Sequence, residues 1–145
     1  MNSSDRPTAR ARDSESDMGV GISQEALEGG ASVFVIEGEV DLASAERVRD
    51  ALTAPARNGT GTVIVDLARC SFLDSSGLRA LLEAKQALAE RAGAPRLLIA
   101  APGRQPKRLL EMTAVESLVP IFDTREEAEA AARTAPRDGG GPASS

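Results

Sequence analysis

Asp74-Ser75-Ser76-Gly77 places two hydroxyls between a carboxylate and a glycine, where the apolar Phe72-Leu73 gives way to a helical pattern. A helix start leaves backbone N–H groups without intrahelical partners, and its aligned peptide dipoles favour negative charge. A serine there suits phosphorylation: the product carries about −1.5 to −2 charge and three oxygens that can accept hydrogen bonds from such N–H groups. The same tetrapeptide also reads as simple N-capping, since Asp and Ser are preferred caps and glycine relaxes the backbone. The residues by themselves do not choose between Ser75 and Ser76. A second acidic turn, Gly38-Glu39-Val40-Asp41, closes an earlier apolar segment. There Asp41 reads as a helix N-cap and Glu39 as a solvated charge at a strand end.

What the chain lacks narrows the chemistry. Its 145 residues contain no histidine, which removes the commonest general base, the usual serine triad and the His-containing zinc sites. No Gly-x-Ser-x-Gly elbow surrounds either serine. No catalytic residue, metal or cofactor is therefore expected, and a serine hydrolase is the weakest reading. The only aromatic residues are Phe34, Phe72 and Phe122, too few for a base-stacking platform, and a net charge of −5 without a large basic cluster disfavours nucleic acid. A basic partner surface fits better. Arg104, Lys107 and Arg108 read as a solvated helix face. Cys70 stands alone, cannot form an intrachain disulfide, and reads as a small packed hydrophobe. No charged leader with an apolar run and no apolar stretch of about 20 residues is present, so a cytoplasmic protein with no membrane partner is expected.

The elements that must position the serines follow from periodicity. Residues 1–17 and 134–145 are polar and without period, and are expected to be flexible tails around one folded unit, 18–133. Residues 20–26 and 32–37 flank Gly29-Gly30 and predict an opening β-hairpin. Leu42, Ala45, Val48 and Leu52 recur at helical spacing after Asp41, with Pro55 beyond the end. Asn58-Gly59 marks a turn, and Thr62-Val63-Ile64-Val65 reads as a strand buried inside a sheet. A long helix follows the serines, with Leu78, Leu81, Leu82, Leu88 and Ala89 on one face, Lys85 at its edge and Gly93 closing it. Residues 96–100 predict a strand, 106–112 a short helix packing through Leu109, Leu110 and Met112, and 118–122 an edge strand that tolerates Pro120. Thr124 and Glu127 have the spacing of a capping box for a last helix. This alternation predicts an α/β fold: a mixed sheet of four or five strands with about four helices. Strands running the same way would bring Gly38 and Asp41 to the edge that carries Asp74, Ser75, Ser76 and Gly77, forming a small acidic patch.

Gly38-Glu39-Val40-Asp41, Val63-Ile64-Val65-Asp66-Leu67 and Phe72-Leu73-Asp74-Ser75-Ser76-Gly77-Leu78 occur in the order and near the spacing of the anti-sigma-factor antagonists. By these three linked segments the chain resembles that family, whose fold is the STAS domain, across the whole folded unit. The resemblance implies that Ser75, the serine directly after the motif aspartate, is phosphorylated by an anti-sigma factor acting as an ATP-using serine kinase. Ser76 is the alternative. It further implies that the unphosphorylated protein binds the anti-sigma factor and frees the sigma factor for transcription, and that a serine phosphatase resets the switch. The expected partner surface comprises Gly38, Glu39, Asp41, Asp74, Ser75, Ser76, Gly77 and Arg79, with the exposed face of the helix that follows. A second expectation keeps the fold without the modification: a STAS scaffold subunit of a lipid-transport or stress-signalling complex. The chain departs from the pattern at Met112-Thr113-Ala114-Val115, where relatives have a glycine, and at Pro106 and Cys70, which replace apolar residues.

Overall fold

Twelve short segments alternate among the described residues because apolar residues recur first at period two, then at helical period. The computed structural model describes residues 19–54, 61–91 and 93–133. Strand β1 (Val20–Ala26) turns through Glu28–Gly30 into β2 (Ser32–Val40), with positive φ at both Gly29 and Gly30, as the hairpin requires. Helix α1 (Leu42–Thr53) leads to β3 (Val63–Asp66) and β4 (Cys70–Leu73), and α2 (Ser75–Ala89) to β5 (Leu97–Ala100). Helix α3 (Arg104–Met112), a 3-10 turn at Val115–Ser117, β6 (Ile121–Phe122) and α4 (Arg125–Arg133) complete the order. The expected tails, 1–17 and 134–145, and the turn signals Pro55 and Asn58-Gly59 lie outside the described residues.

The sheet is mixed. Its path is β1-β2-β3-β5-β6, with β1 antiparallel to β2 and the remaining pairs parallel. The sixth strand, β4, was not resolved as a separate element in the sequence expectation of four or five. It pairs with the upper half of β2, whereas β3 pairs with the lower half, so one long strand carries two successive neighbours. The chain steps from β3 to β4 at Leu67-Ala68-Arg69. Asp66 accepts the Ala68 N–H at 2.9 Å, and the Arg69 carbonyl receives the Gly38 N–H at 3.1 Å.

Alternation along the strands divides the core. Phe34, Ile36, Val63, Val65, Leu97 and Ile99 point to the face covered by α1, α2 and α3, while Val33, Ile64, Leu98 and Ala100 meet Ala128 of α4 on the other. Strands β3 and β5 are buried on both faces, as a parallel centre demands. Several expected boundaries shift. Strand β2 runs on to Val40, and the last strand is only Ile121–Phe122. Leu42 and Met112 were expected in apolar stripes but are 80% and 73% exposed, because each lies at a helix end whose inward positions are taken by Ser44 and Leu110. Ala89 is exposed too, and the buried stripe of α2 is Gly77, Leu78, Ala80, Leu81, Ala84 and Leu88. Gly93, at φ +84°, lies beyond the helix end, where the Glu90 N–H already donates to the Ala87 carbonyl and the Arg91 N–H to the Leu88 carbonyl. Helix α3 begins two residues before Pro106, which keeps the proline in the first turn, where its missing N–H has no intrahelical partner to lose. Thr124 does cap α4, accepting the Glu127 N–H at 3.1 Å. Among the described residues no helix is long and apolar enough to cross a membrane.

Candidate functional site

Both motif turns leave the same end of the sheet. Val40 and Leu73 are register partners in the parallel β2–β4 ladder, and the Asp74 N–H donates to the Val40 carbonyl at 3.1 Å. Adjacent strands lie roughly 4.8 Å apart, so Asp41 and Asp74 leave the sheet as neighbours. The juxtaposition expected from topology is present.

Each aspartate starts a helix. Asp41 accepts the Ala43 N–H at 3.1 Å, and the Ser44 hydroxyl receives the Asp41 N–H at 3.1 Å while donating to the Glu39 carbonyl at 3.0 Å. Ser44, fully buried, thus completes a capping box that usually employs a longer Glu or Gln. Asp74 accepts the Gly77 N–H at 3.0 Å and caps α2. Two glycines permit the approach. Gly38 sits at φ +102° at a register shift, and a Cβ there would stand 2.0 Å from the Gly19 carbonyl oxygen. A Cβ on Gly77 would meet Leu73 Cδ1 at 2.5 Å and Val40 Cγ1 at 2.7 Å. Gly77 is buried and seats α2 on the strand ends.

Ser75, the first residue of α2, is exposed, and Ser76 is half-buried. Both line an open groove of about 600 Å³ between α1 and α2. Leu42, Glu46 and Arg49 contribute from α1, Arg79 and Glu83 from α2. The acidic patch expected from sequence is therefore a balanced one. Asp41 and Asp74 turn to their helix N–H groups, and the groove carries two carboxylates and two guanidiniums. Arg49 is held by Asp50 at 2.9 Å, Glu83 at 3.5 Å and Glu46 at 3.7 Å. Arg79 is exposed, and its guanidinium has no ion pair or hydrogen bond among the described residues. Glu39 is exposed on the strand beside the turn.

Sequence reasoning missed Gln105. Its side-chain amide donates to the Leu73 carbonyl and accepts the Leu73 N–H, both at 2.8 Å. Leu73 has β2 on one side only, and Gln105 acts as a one-residue substitute for a further strand, pinning the backbone just before Asp74. A lone glutamine on a solvated-looking helix face carries no local signal of this. Cys70 packs as expected: it is buried, and desolvation pushes its thiol up from the ordinary value.

A hairpin opening onto a mixed sheet, with two capped helix starts side by side at its edge, defines the STAS class of domain. The STAS domain model matches residues 26–128, and the chain belongs to that family. A protein named as an anti-sigma factor antagonist, BtrV of Bordetella bronchiseptica, is 29% identical over 106 residues, which cover 73% of this chain and 90% of that one. The crystal structure of an anti-sigma factor antagonist from Mycobacterium paratuberculosis is similar at a TM-score of 0.68 and 25% identity, covering 79% of this chain and 94% of the other. The Bacillus cell fate determinant SpoIIAA in its phosphorylated form shares the fold at a TM-score of 0.58 and 23% identity, covering 79% and 100% of the two chains. The homology to anti-sigma factor antagonists is distant.

Proposed function

We propose that this STAS domain is a cytoplasmic anti-sigma factor antagonist, a regulatory binding module and not an enzyme. In this reading it holds an anti-sigma factor on the edge formed by Gly38, Glu39 and Asp41 together with Asp74, Ser75, Ser76, Gly77, Arg79 and the exposed face of α2. Binding frees the sigma factor. The anti-sigma factor, acting as a serine kinase, transfers the γ-phosphoryl group of ATP to Ser75 Oγ; the hydroxyl proton leaves to a kinase base and ADP departs. A serine phosphatase reverses the step. The observation that carries this reading is the exposed hydroxyl of Ser75 at the mouth of an open groove, beside a half-buried Ser76. A phosphate tips a groove of two carboxylates and two guanidiniums to net negative. Repulsion and desolvation of a few kcal/mol weaken binding on the order of 100-fold.

The test combines the protein with candidate kinase-type anti-sigma factors and ATP, maps the phosphosite, and measures binding of wild type, Ser75→Ala and Ser75→Glu. Phosphate on Ser75, retained binding by Ser75→Ala and weakened binding by Ser75→Glu are expected. Equal binding by wild type and Ser75→Glu would sink the switch and leave an unmodified scaffold.

A further inference from the structure

Two arginines line the groove at Ser75, and their situations differ. Arg49 on α1 is engaged by Glu46, Asp50 and Glu83, and its guanidinium is held firmly protonated by the Asp50 hydrogen bond first. Arg79 on α2 is exposed and uncommitted among the described residues. It stands four residues after Ser75 in one continuous helix, the spacing that stacks two side chains on the same face. Helical side chains lean toward the N-terminus, which aims the longer Arg79 back over Ser75. An anion preceding a cation at this spacing is also the favourable order.

We infer that Arg79 is the intrachain counter-charge for a phosphate on Ser75, so that modification at once adds an anion and withdraws the one groove cation that is uncommitted among the described residues. This rests on the proposed phosphorylation of Ser75. The α2 start is already partly answered by Asp74, which takes the Gly77 N–H, so the guanidinium is the group on that helix face with charge left to offer a phosphate. The other charged groups facing the position are Glu46 and Arg49 from α1 and Glu83 from α2, three groups already engaged with one another. In the unmodified protein Arg79 is free to meet a carboxylate on the partner. In the modified protein it is occupied, and the partner faces a phosphate without that contact.

The test incorporates phosphoserine at position 75 during translation, so that it does not depend on any kinase, and follows the phosphate by ³¹P NMR against pH. The second ionisation of the phosphate is expected roughly 0.3–0.5 unit lower in the wild-type background than in Arg79→Gln, with Arg79→Lys intermediate. The gap should close in about 1 M salt, where the screening length falls to about 3 Å. Coincident titrations for wild type and Arg79→Gln overturn the inference. Failure of the phosphorylation reading would appear separately, as an absence of kinase-dependent modification of the unphosphorylated protein.

Discussion

Replacing Gln105 with alanine removes both hydrogen bonds that pin Leu73, each 2.8 Å long, while leaving the Asp74–Val40 bond on the opposite side in place. A typical intramolecular hydrogen bond contributes about 0.5–1.5 kcal/mol net, and a buried group left unpaired costs more. Leu73 is buried but Gln105 is half-buried, so water can enter the vacated space and the pair together should cost about 2 kcal/mol. That lowers the thermal midpoint by roughly 8 °C for a domain of this size. The more telling assay is amide hydrogen exchange by NMR. Exchange of the Leu73 N–H, which loses its acceptor directly, should accelerate by at least about 30-fold, and amides such as those of Ile64 and Leu98, which open with global unfolding, by no more than that factor. A companion variant, Gln105→Glu, keeps an acceptor for the Leu73 N–H but sets a carboxylate oxygen against the Leu73 carbonyl. The neutral acid can donate there and the anion cannot, so the folded-state pKa of that glutamate is raised and its destabilisation eases as pH falls through the raised value. Unchanged Leu73 exchange in a folded Gln105→Ala protein would refute the clamp, and with it the claim that α3 fixes the backbone in front of Ser75.

Two further outcomes test the frame around the site. Gly38→Ala forces a side chain onto a φ of +102° and a Cβ to within 2.0 Å of the Gly19 carbonyl oxygen, so denaturant titration should show a loss of about 2–4 kcal/mol; a neutral substitution would mean that the register shift in β2 is not rigid. On the α4 side, Arg125 bonds Glu25 at 2.5 Å and Glu129 at 2.7 Å, and its hydrogen bond holds the Glu25 carboxyl below the ordinary value of 4.5. A lowered carboxyl pKa contributes stability that is present above 4.5 and lost as pH falls through the lowered value. Glu25→Gln should therefore flatten the acid limb of the stability–pH curve, and an unaltered limb would show that this half-exposed pair is fully screened.

The parts of the site legible in sequence are those that act within one helical turn. Asp41 and Asp74 were readable as caps because a short acceptor must precede the N–H groups it satisfies, and both do so. Ser75 was readable as a helix start and proves to be the first residue of α2. Period alone also separated the strands of the buried centre from the amphipathic helices. It misjudged Leu42 and Met112, since a helical repeat counts spacing and cannot tell whether the neighbouring layer reaches as far as a helix end. Strand β4 escaped because four residues of mixed burial, with Ser71 and Phe72 exposed, resemble a loop until they are laid beside β2.

By itself the sequence determined the α/β class, the hairpin, the capped helix starts and the motif segments that carry the STAS resemblance, all encoded by periods and caps spanning a few residues. Only the tertiary structure decided that β2 holds two neighbours in succession, that Gln105 reaches Leu73 across 32 positions and that Arg125 reaches Glu25 across 100. It also decided that one groove arginine is consumed and the other without an ion pair among the described residues. Those outcomes depend on strand register and layer packing, where residues remote in the chain compete for the same partners, and no local repeat records which of them wins.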